Sequence, residues 1–205
     1  MNAVIRPYRP ADLPALYDIC VGTGDAGEDA SGAYPDRDRD LLGAIFAAPY
    51  AVLEPESTFV LDDGHGRTVG YVLGTADTEE FVRRFRKEWL PTVEKRWPAP
   101  DREPVTPSEM MAWLLHTPER LVRPELADYP AHLHIDVLPG FQRSGYGRAL
   151  MKSFLDALAE RGVPAVHLGM LTINTRARAF YDRLGFHEIE LPDAGALTYL
   201  GRATS

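Results

Sequence analysis

Two stretches of the chain hold groups that could do chemistry. The first is "FQRSGYGRALM", which places Gly145 and Gly147 where an amphipathic helical pattern begins. Glycine weakens a helix, so two in one opening turn need a reason. A strand that turns through small residues into a helix leaves several N–H groups unpaired at the positive end of the helix dipole. Such a turn binds anions, most often phosphate. A Cβ at 145 or 147 would intrude on that ligand, and Arg143 and Arg148 add positive charge beside it. The spacing is neither a dinucleotide G-x-G-x-x-G nor a P-loop, since the third glycine and the Gly-Lys-Ser/Thr are absent. The second stretch is "AHLHIDVL". Its alternation turns Leu133, Ile135 and Val137 to one strand face and His132, His134 and Asp136 to the other. Two imidazoles and a carboxylate are metal-ligating types. Successive same-face residues are about 7 Å apart and converge poorly on one ion, so no metal is expected.

The elements that must position these groups follow from periodicity. Pro139 and Gly140 end the strand, and the next helix repeats Leu150, Phe154 and Leu158 before closing at Gly162. "AVHLGML" is a strand, and "NTRARAFYDRLGF" a helix with Ala177, Phe180, Tyr181 and Leu184 on one face and Gly185 as its cap. "HEIEL" and "ALTYLGR" are closing strands. Strand, helix, strand in this order predicts a parallel pair with a right-handed crossover. Upstream, a short strand turns at Pro10 into a helix with Asp12 as N-cap and Pro14 in its first turn. "DLLGAIFAAPYAVL" reads as one helix ended by Pro49, and "DGHG" as the turn of a hairpin. Residues 79–130 read as a helical insert with Thr106 or Ser108 as a cap, and Trp89, Trp97 and Trp113 as packing residues. The Gly- and Asp-rich segment 22–40 is a long loop whose acids (Asp25, Glu28, Asp29, Asp36, Asp38, Asp40) either line an acceptor site or face solvent.

Composition narrows the classes. The chain has 205 residues and a formal net charge of −8, which disfavours a nucleic-acid partner. Cys20, the one cysteine, sits in an apolar helical run and reads as a buried thiol in a reducing compartment. No apolar run spans a membrane and "MNAVIRPYRP" has no signal-peptide core, so a cytoplasmic protein without a membrane partner is expected. His65 and His116 read as surface polar residues. Oligomeric state is not legible.

Taken together, Gln142-Arg143-Ser144-Gly145-Tyr146-Gly147, then Asn174, Phe180-Tyr181 and Gly185-Phe186, resemble the GCN5-related N-acetyltransferase (GNAT) superfamily over roughly residues 131–190. "GTGDAGEDASGAYPD", "DLLGAIFAAPYAVLEPESTFVLDD" and "VGYVLGTADTEEF" extend the likeness to the acetyltransferase-like domain of O-GlcNAcases and its free-standing bacterial relatives. The resemblance implies an α/β fold. One domain over 1–205 would carry a mixed central sheet, a parallel pair at the cofactor cleft, flanking helices and the helical insert at 79–130.

The resemblance also implies a chemistry: acetyl passes from acetyl-CoA to an amine by direct attack in a ternary complex. Backbone N–H groups of Gln142, Arg143, Ser144, Gly145, Tyr146, Gly147 and Arg148 would hold the pyrophosphate. Ile135, Asp136 and Val137 would run beside the pantetheine arm, with the Val137 N–H donating to the thioester carbonyl. Asn174 would bond the arm, and Ala177 and Phe180 would pack on it. Tyr181 would be the general acid for the departing thiolate. Histone acetyltransferases place a glutamate base at about Ala131. Alanine there leaves Asp136 first and His134 second among the side chains, with a water chain and no dedicated base as an equal alternative to either. The main rival is a pseudo-acetyltransferase serving as a CoA- or protein-binding module. A third reading gives His132, His134 and Asp136 a metal.

Overall fold

Stretches rich in branched and aromatic residues form seven strands: β1 (Val4–Pro7), β2 (Thr58–Asp62), β3 (Thr68–Thr75), β4 (Ala131–Val137), β5 (Ala165–Leu171), β6 (His187–Ile189) and β7 (Leu197–Ala203). They make one sheet in the order β1-β2-β3-β4-β5-β7-β6. The structure, a computed structural model, describes residues 3–205. Met1 and Asn2, the start of the stretch read for a signal peptide, lie outside them. Neighbouring strands are antiparallel except β4 and β5, the expected parallel pair. That pair shares only the partners Ala131–Val166 and His132–His167. Beyond it, β4 stays with β3 out to Val137, and β5 stays with β7 out to Leu171. The sheet therefore splits at its centre.

Helices cover both faces. They are α1 (Leu13–Gly22), α2 (Leu41–Phe46), α3 (Ala48–Leu53), α4 (Thr78–Arg84), α5 (Leu90–Val93), α6 (Pro107–His116), α7 (Tyr146–Glu160) and α8 (Thr175–Asp182). The crossover helix α7 buries Leu150, Phe154 and Leu158 with Val72, Leu133 and Val166 of the sheet, as its periodicity predicts. Residues of α1, α2 and α3 pack with Tyr71 and Leu73 in a second core. Gly74 lets β3 lie close both to β4 in the sheet and to α7 above it. A Cβ there would stand 2.1 Å from the His132 carbonyl oxygen and 2.7 Å from Phe154 Cζ.

Several local expectations are corrected. Pro49 does not end a helix. The chain breaks at Ala47 (φ −133°, ψ −63°), and Pro49 lies in the first turn of α3, where a missing N–H costs nothing. Asp12 occupies the N-cap position of α1 but does not cap it. Its carboxylate takes Arg6 through two contacts of 2.8 Å, the Thr68 hydroxyl at 2.8 Å and the Arg9 N–H at 2.8 Å. Arg6 also reaches Asp62 at 3.1 Å, so the cluster ties β1 to the β2–β3 hairpin. Burial pushes the Asp12 carboxyl up, but the hydrogen bonds from Arg6, Thr68 and Arg9 outweigh it and leave the group below its usual range.

Between β3 and β4, a wide π turn over Phe85–Trp89 precedes Pro91, whose missing N–H cannot serve the Lys87 carbonyl. Thr106, not Ser108, caps α6, in a reciprocal box with Glu109. Trp89 and Trp97 are buried, and the Trp89 indole donates to the Ala44 carbonyl at 2.8 Å. Trp113 is 42% exposed and is not a core residue. His116 is half-buried and bonded to the Trp97 carbonyl at 2.8 Å, so of the two expected surface histidines only His65 is exposed. Among the described residues no helix is long and apolar enough to cross a membrane.

Gly74→Ala is expected to destabilise the protein by about 3 kcal/mol, because the added methyl meets backbone rather than a yielding side-chain tip. A melting temperature within a degree of the parent would show that β4 and α7 can shift at low cost.

Candidate active site

The glycine turn sits at the mouth of the split. A 3-10 turn (Pro139–Phe141) uses the N–H groups of Phe141 and Gln142, which bond Leu138 and Pro139 at 2.8 and 3.3 Å. Arg143 (φ +60°) and Gly145 (φ +85°) then alternate through the left-handed region. The next backbone bond is from Ala149 to the Gly145 carbonyl at 3.1 Å. Between these points the N–H groups of residues 143–148 meet no protein acceptor among the described residues. They gather at the N-terminus of the 15-residue helix α7, and residues 142–145 and 148 are exposed. The result is an anion cradle of backbone donors and helix dipole.

The two glycines have different reasons. Gly145 needs its positive φ, and nothing lies within 4 Å of a Cβ built there, so the space beside it is open to a ligand. At Gly147 a Cβ would stand 3.3 Å from the Phe180 ring, so that glycine seats α8 against α7. Gln142 contributes no free backbone donor. Its N–H is used in the 3-10 turn, and its side-chain amide donates to the Val137 carbonyl at 2.8 Å, pinning the turn to β4.

The split itself exposes backbone. Leu138 donates to the Val69 carbonyl at 3.0 Å, and Gly70 opposes Val137. Alternation along an antiparallel pair then turns the N–H groups of Ile135 and Val137 away from β3, toward the gap beside β5. Half-buried Ala177, Phe180 and Tyr146, like Ile135 and Val137, pack against the edge of the α7 core. Asn174 is the N-cap of α8, its Oδ1 accepting from the Ala177 N–H at 3.0 Å, which leaves its NH2 for another partner. Tyr181 is 7% exposed, between the rings of Phe180 and Phe186. Burial and then the nearby Asp136 charge push its phenol up, so it stays protonated at neutral pH.

On the opposite sheet face, half-buried Asp136 accepts a 2.6 Å hydrogen bond from the Tyr71 hydroxyl. Burial raises the Asp136 pKa, while Tyr71 and Thr23 pull it back. His132 is buried with both ring nitrogens engaged, by Tyr50 and Thr78 at 2.8 Å each. His134 lies 3.2 Å from the same Tyr50 hydroxyl. Burial, and after it the charge of Arg120, lowers its pKa to about 4. His132 and His134 share the Tyr50 hydroxyl while Asp136 is held by Tyr71, so the three side chains do not converge on one point. Among the described residues no group of three His, Cys, Asp or Glu is placed to hold a metal. Cys20 is buried, and burial pushes its thiol well up, which makes it a poor nucleophile.

Half of the six acids of the 22–40 loop meet an arginine. Glu28 meets Arg176 at 3.4 Å, Asp40 meets Arg96 at 2.9 Å, Asp38 meets Arg37 at 3.6 Å, and Asp29 accepts from the Ser31 N–H. Three site residues escaped the sequence reading: Tyr50, Tyr71 and Arg120. The tyrosines carry ordinary core patterns. Arg120 lies in a 3-10 turn (Pro118–Leu121) that has no periodicity to flag it. Its Nε is buried without a partner, a cost on the order of 1–3 kcal/mol or more for a charged group.

Comparison with known proteins agrees with this geometry. The family described as Acetyltransferase (GNAT) family matches residues 24–186. The Rattus norvegicus protein O-GlcNAcase is 27% identical over 187 residues, 90% of this chain and 20% of the relative. The chain thus spans about a fifth of that protein's length. The [Ribosomal protein bS18]-alanine N-acetyltransferase of Escherichia coli is 44% identical over 55 residues, 27% of this chain and 37% of the relative. The crystal structure of SsHAT superposes with a TM-score of 0.96 at 58% identity, covering 100% of both chains.

Tyr71→Phe removes a donor that favours the charged carboxylate, so Asp136 is expected to titrate at higher pH in the variant. Carboxyl 13C NMR across a pH series reads this directly. An unmoved titration would dismiss Tyr71 as the group that holds Asp136.

Proposed function

The chain belongs to the Acetyltransferase (GNAT) family, and from that premise we propose that it moves an acetyl group from acetyl-CoA to an amine by direct attack in a ternary complex. The observation that carries the proposal is the run of unpaired N–H groups at 143–148 opening onto the split between β4 and β5. Acetyl-CoA supplies the activated thioester. The N–H groups of residues 143–148 hold its pyrophosphate, with Arg143, Arg148 and the positive end of α7 adding charge. Gln142 keeps that turn docked on β4. The freed N–H groups of Ile135 and Val137 pair with the pantetheine arm beside Asn174, Ala177 and Phe180, and Val137 donates to the thioester carbonyl.

The proton movements fall to two groups on this chain. A C–N bond forms and the C–S bond breaks. Asp136, whose raised pKa improves it as a base, takes the proton of the attacking amine. His134, neutral above about pH 4, is the second group on that face, and a water chain the third. Tyr181 gives its proton to the departing thiolate and regains one from solvent. The rival reading, a CoA- or protein-binding module without catalysis, would leave this pairing of a proton acceptor with a protonated phenol without a role.

Isothermal titration with acetyl-CoA, followed by thiol release against an amine panel, tests the proposal. Gly145→Glu is expected to weaken acetyl-CoA binding at least 100-fold while the circular dichroism spectrum is kept. Undiminished affinity would remove the turn as the pyrophosphate site. Tyr181→Phe should lower kcat by about 10²-fold or more with little change in acetyl-CoA affinity. Full turnover in that variant would strip Tyr181 of the acid role.

A further inference from the structure

One charge on the Asp136 face has no part in the proton movements above. Arg120 lines a narrow cavity with Phe46, Tyr50, Phe85, Leu114 and His134. Its Nε is sealed from solvent and has no hydrogen-bond partner. Burial lowers its pKa, and among the described residues no carboxylate forms an ion pair with it. A half-buried guanidinium without a counter-ion is an open demand for an anion, and its planar fork matches a carboxylate. The Tyr50 hydroxyl and the His134 ring are further polar groups of the same lining, while Phe46, Phe85 and Leu114 make the rest apolar. The cavity is too narrow for a whole substrate and suits a small terminal group.

We propose that Arg120 receives a carboxylate, and that the acceptor is therefore an amine carrying a carboxylate on a short spacer, such as a free amino acid. The spacer follows from the strand. His134 lines the cavity, and Asp136, the proposed base, is the next residue on the same face of β4, about 7 Å away. On this reading a short spacer carries the amine from the cavity along this strand face toward Asp136. This inference rests on the acetyl-transfer reading for the identity of the attacking group, though not for the carboxylate itself.

The test has three arms. In the first, melting curves are recorded with glycine, β-alanine, 4-aminobutyrate and glutamate and with the matching carboxamides. At least one acid should raise the melting temperature where its amide does not, and Arg120→Gln should abolish the difference. If no acid shifts the parent protein, the inference fails. In the second, thiol release with acetyl-CoA should show kcat/KM at least tenfold higher for the acid than for its amide. That ratio should fall toward one in Arg120→Gln and lie between in Arg120→Lys, which keeps the charge but lacks the fork. A ratio near one in the parent, or unchanged in both variants, overturns the inference. In the third, succinyl-CoA replaces acetyl-CoA with a carboxylate-free amine. An Arg120 dependence seen only there assigns the carboxylate to the acyl donor and overturns the acceptor assignment. Titration with acetyl-CoA separates the two levels: a protein that shifts with carboxylates but does not bind acetyl-CoA refutes the acetyl-transfer reading and leaves the anion site standing. Without ligand, Arg120→Gln should melt no lower than the parent, because it removes a buried unpaired charge. Should it fail to fold, Arg120→Lys carries the comparison.

Discussion

Everything distinctive in this molecule follows from a ladder that stops early. β4 and β5 lie side by side at the centre of the sheet, where backbone groups are normally all spoken for. Here they share two residue pairs and then part, while each keeps its outer neighbour. The outer pairings hold the two halves rigid, so the gap between them is a fixed feature of the fold. Into it point backbone donors of Ile135 and Val137 that no other strand can reach.

The remaining parts are arranged around that gap. The crossover from β4 to β5 must leave the sheet at its opening, so the N-terminus of α7 and its unpaired N–H groups arrive at the mouth. Gly145 supplies the left-handed turn and Gly147 the close approach of Phe180, so that α8, the helix of Tyr181, lies against α7. From the other face, Tyr71 holds Asp136, and Tyr50 bridges His132 and His134. The strand that lends its backbone to one face of the cleft thus lends its side chains to the other, and a single element sets the register of both.

Much of this was legible beforehand, for a physical reason. A helix with Leu150, Phe154 and Leu158 in step, a strand alternating from His132 to Val137, and two glycines ahead of an amphipathic run are local patterns, and local patterns survive translation into structure. What stayed hidden depends on partners far away in the chain. The early end of the β4–β5 ladder is a matter of tertiary register. Tyr50 and Tyr71 look like any core aromatic until their hydroxyls are seen to meet His132, His134 and Asp136. Asp12 has the right type and position for a cap, yet Arg6 and Thr68 compete for its oxygens and win. Pro49 shows the same limit in the opposite sense: one residue can end a helix or begin one, and only the backbone break at Ala47 decides which.

A sheet interrupted at its middle has a dynamic signature. Backbone amides in a central strand ordinarily exchange their hydrogens slowest of all, because only global unfolding frees them. The amides of Ile135 and Val137 sit in the fourth of seven strands but have no carbonyl across from them. They should trade with deuterium as fast as those of a frayed rim, beside Asp136 and His134, which are locked to β3. A molecule that fills the gap would slow that exchange, so its arrival could be followed at two named peptide groups without any turnover at all.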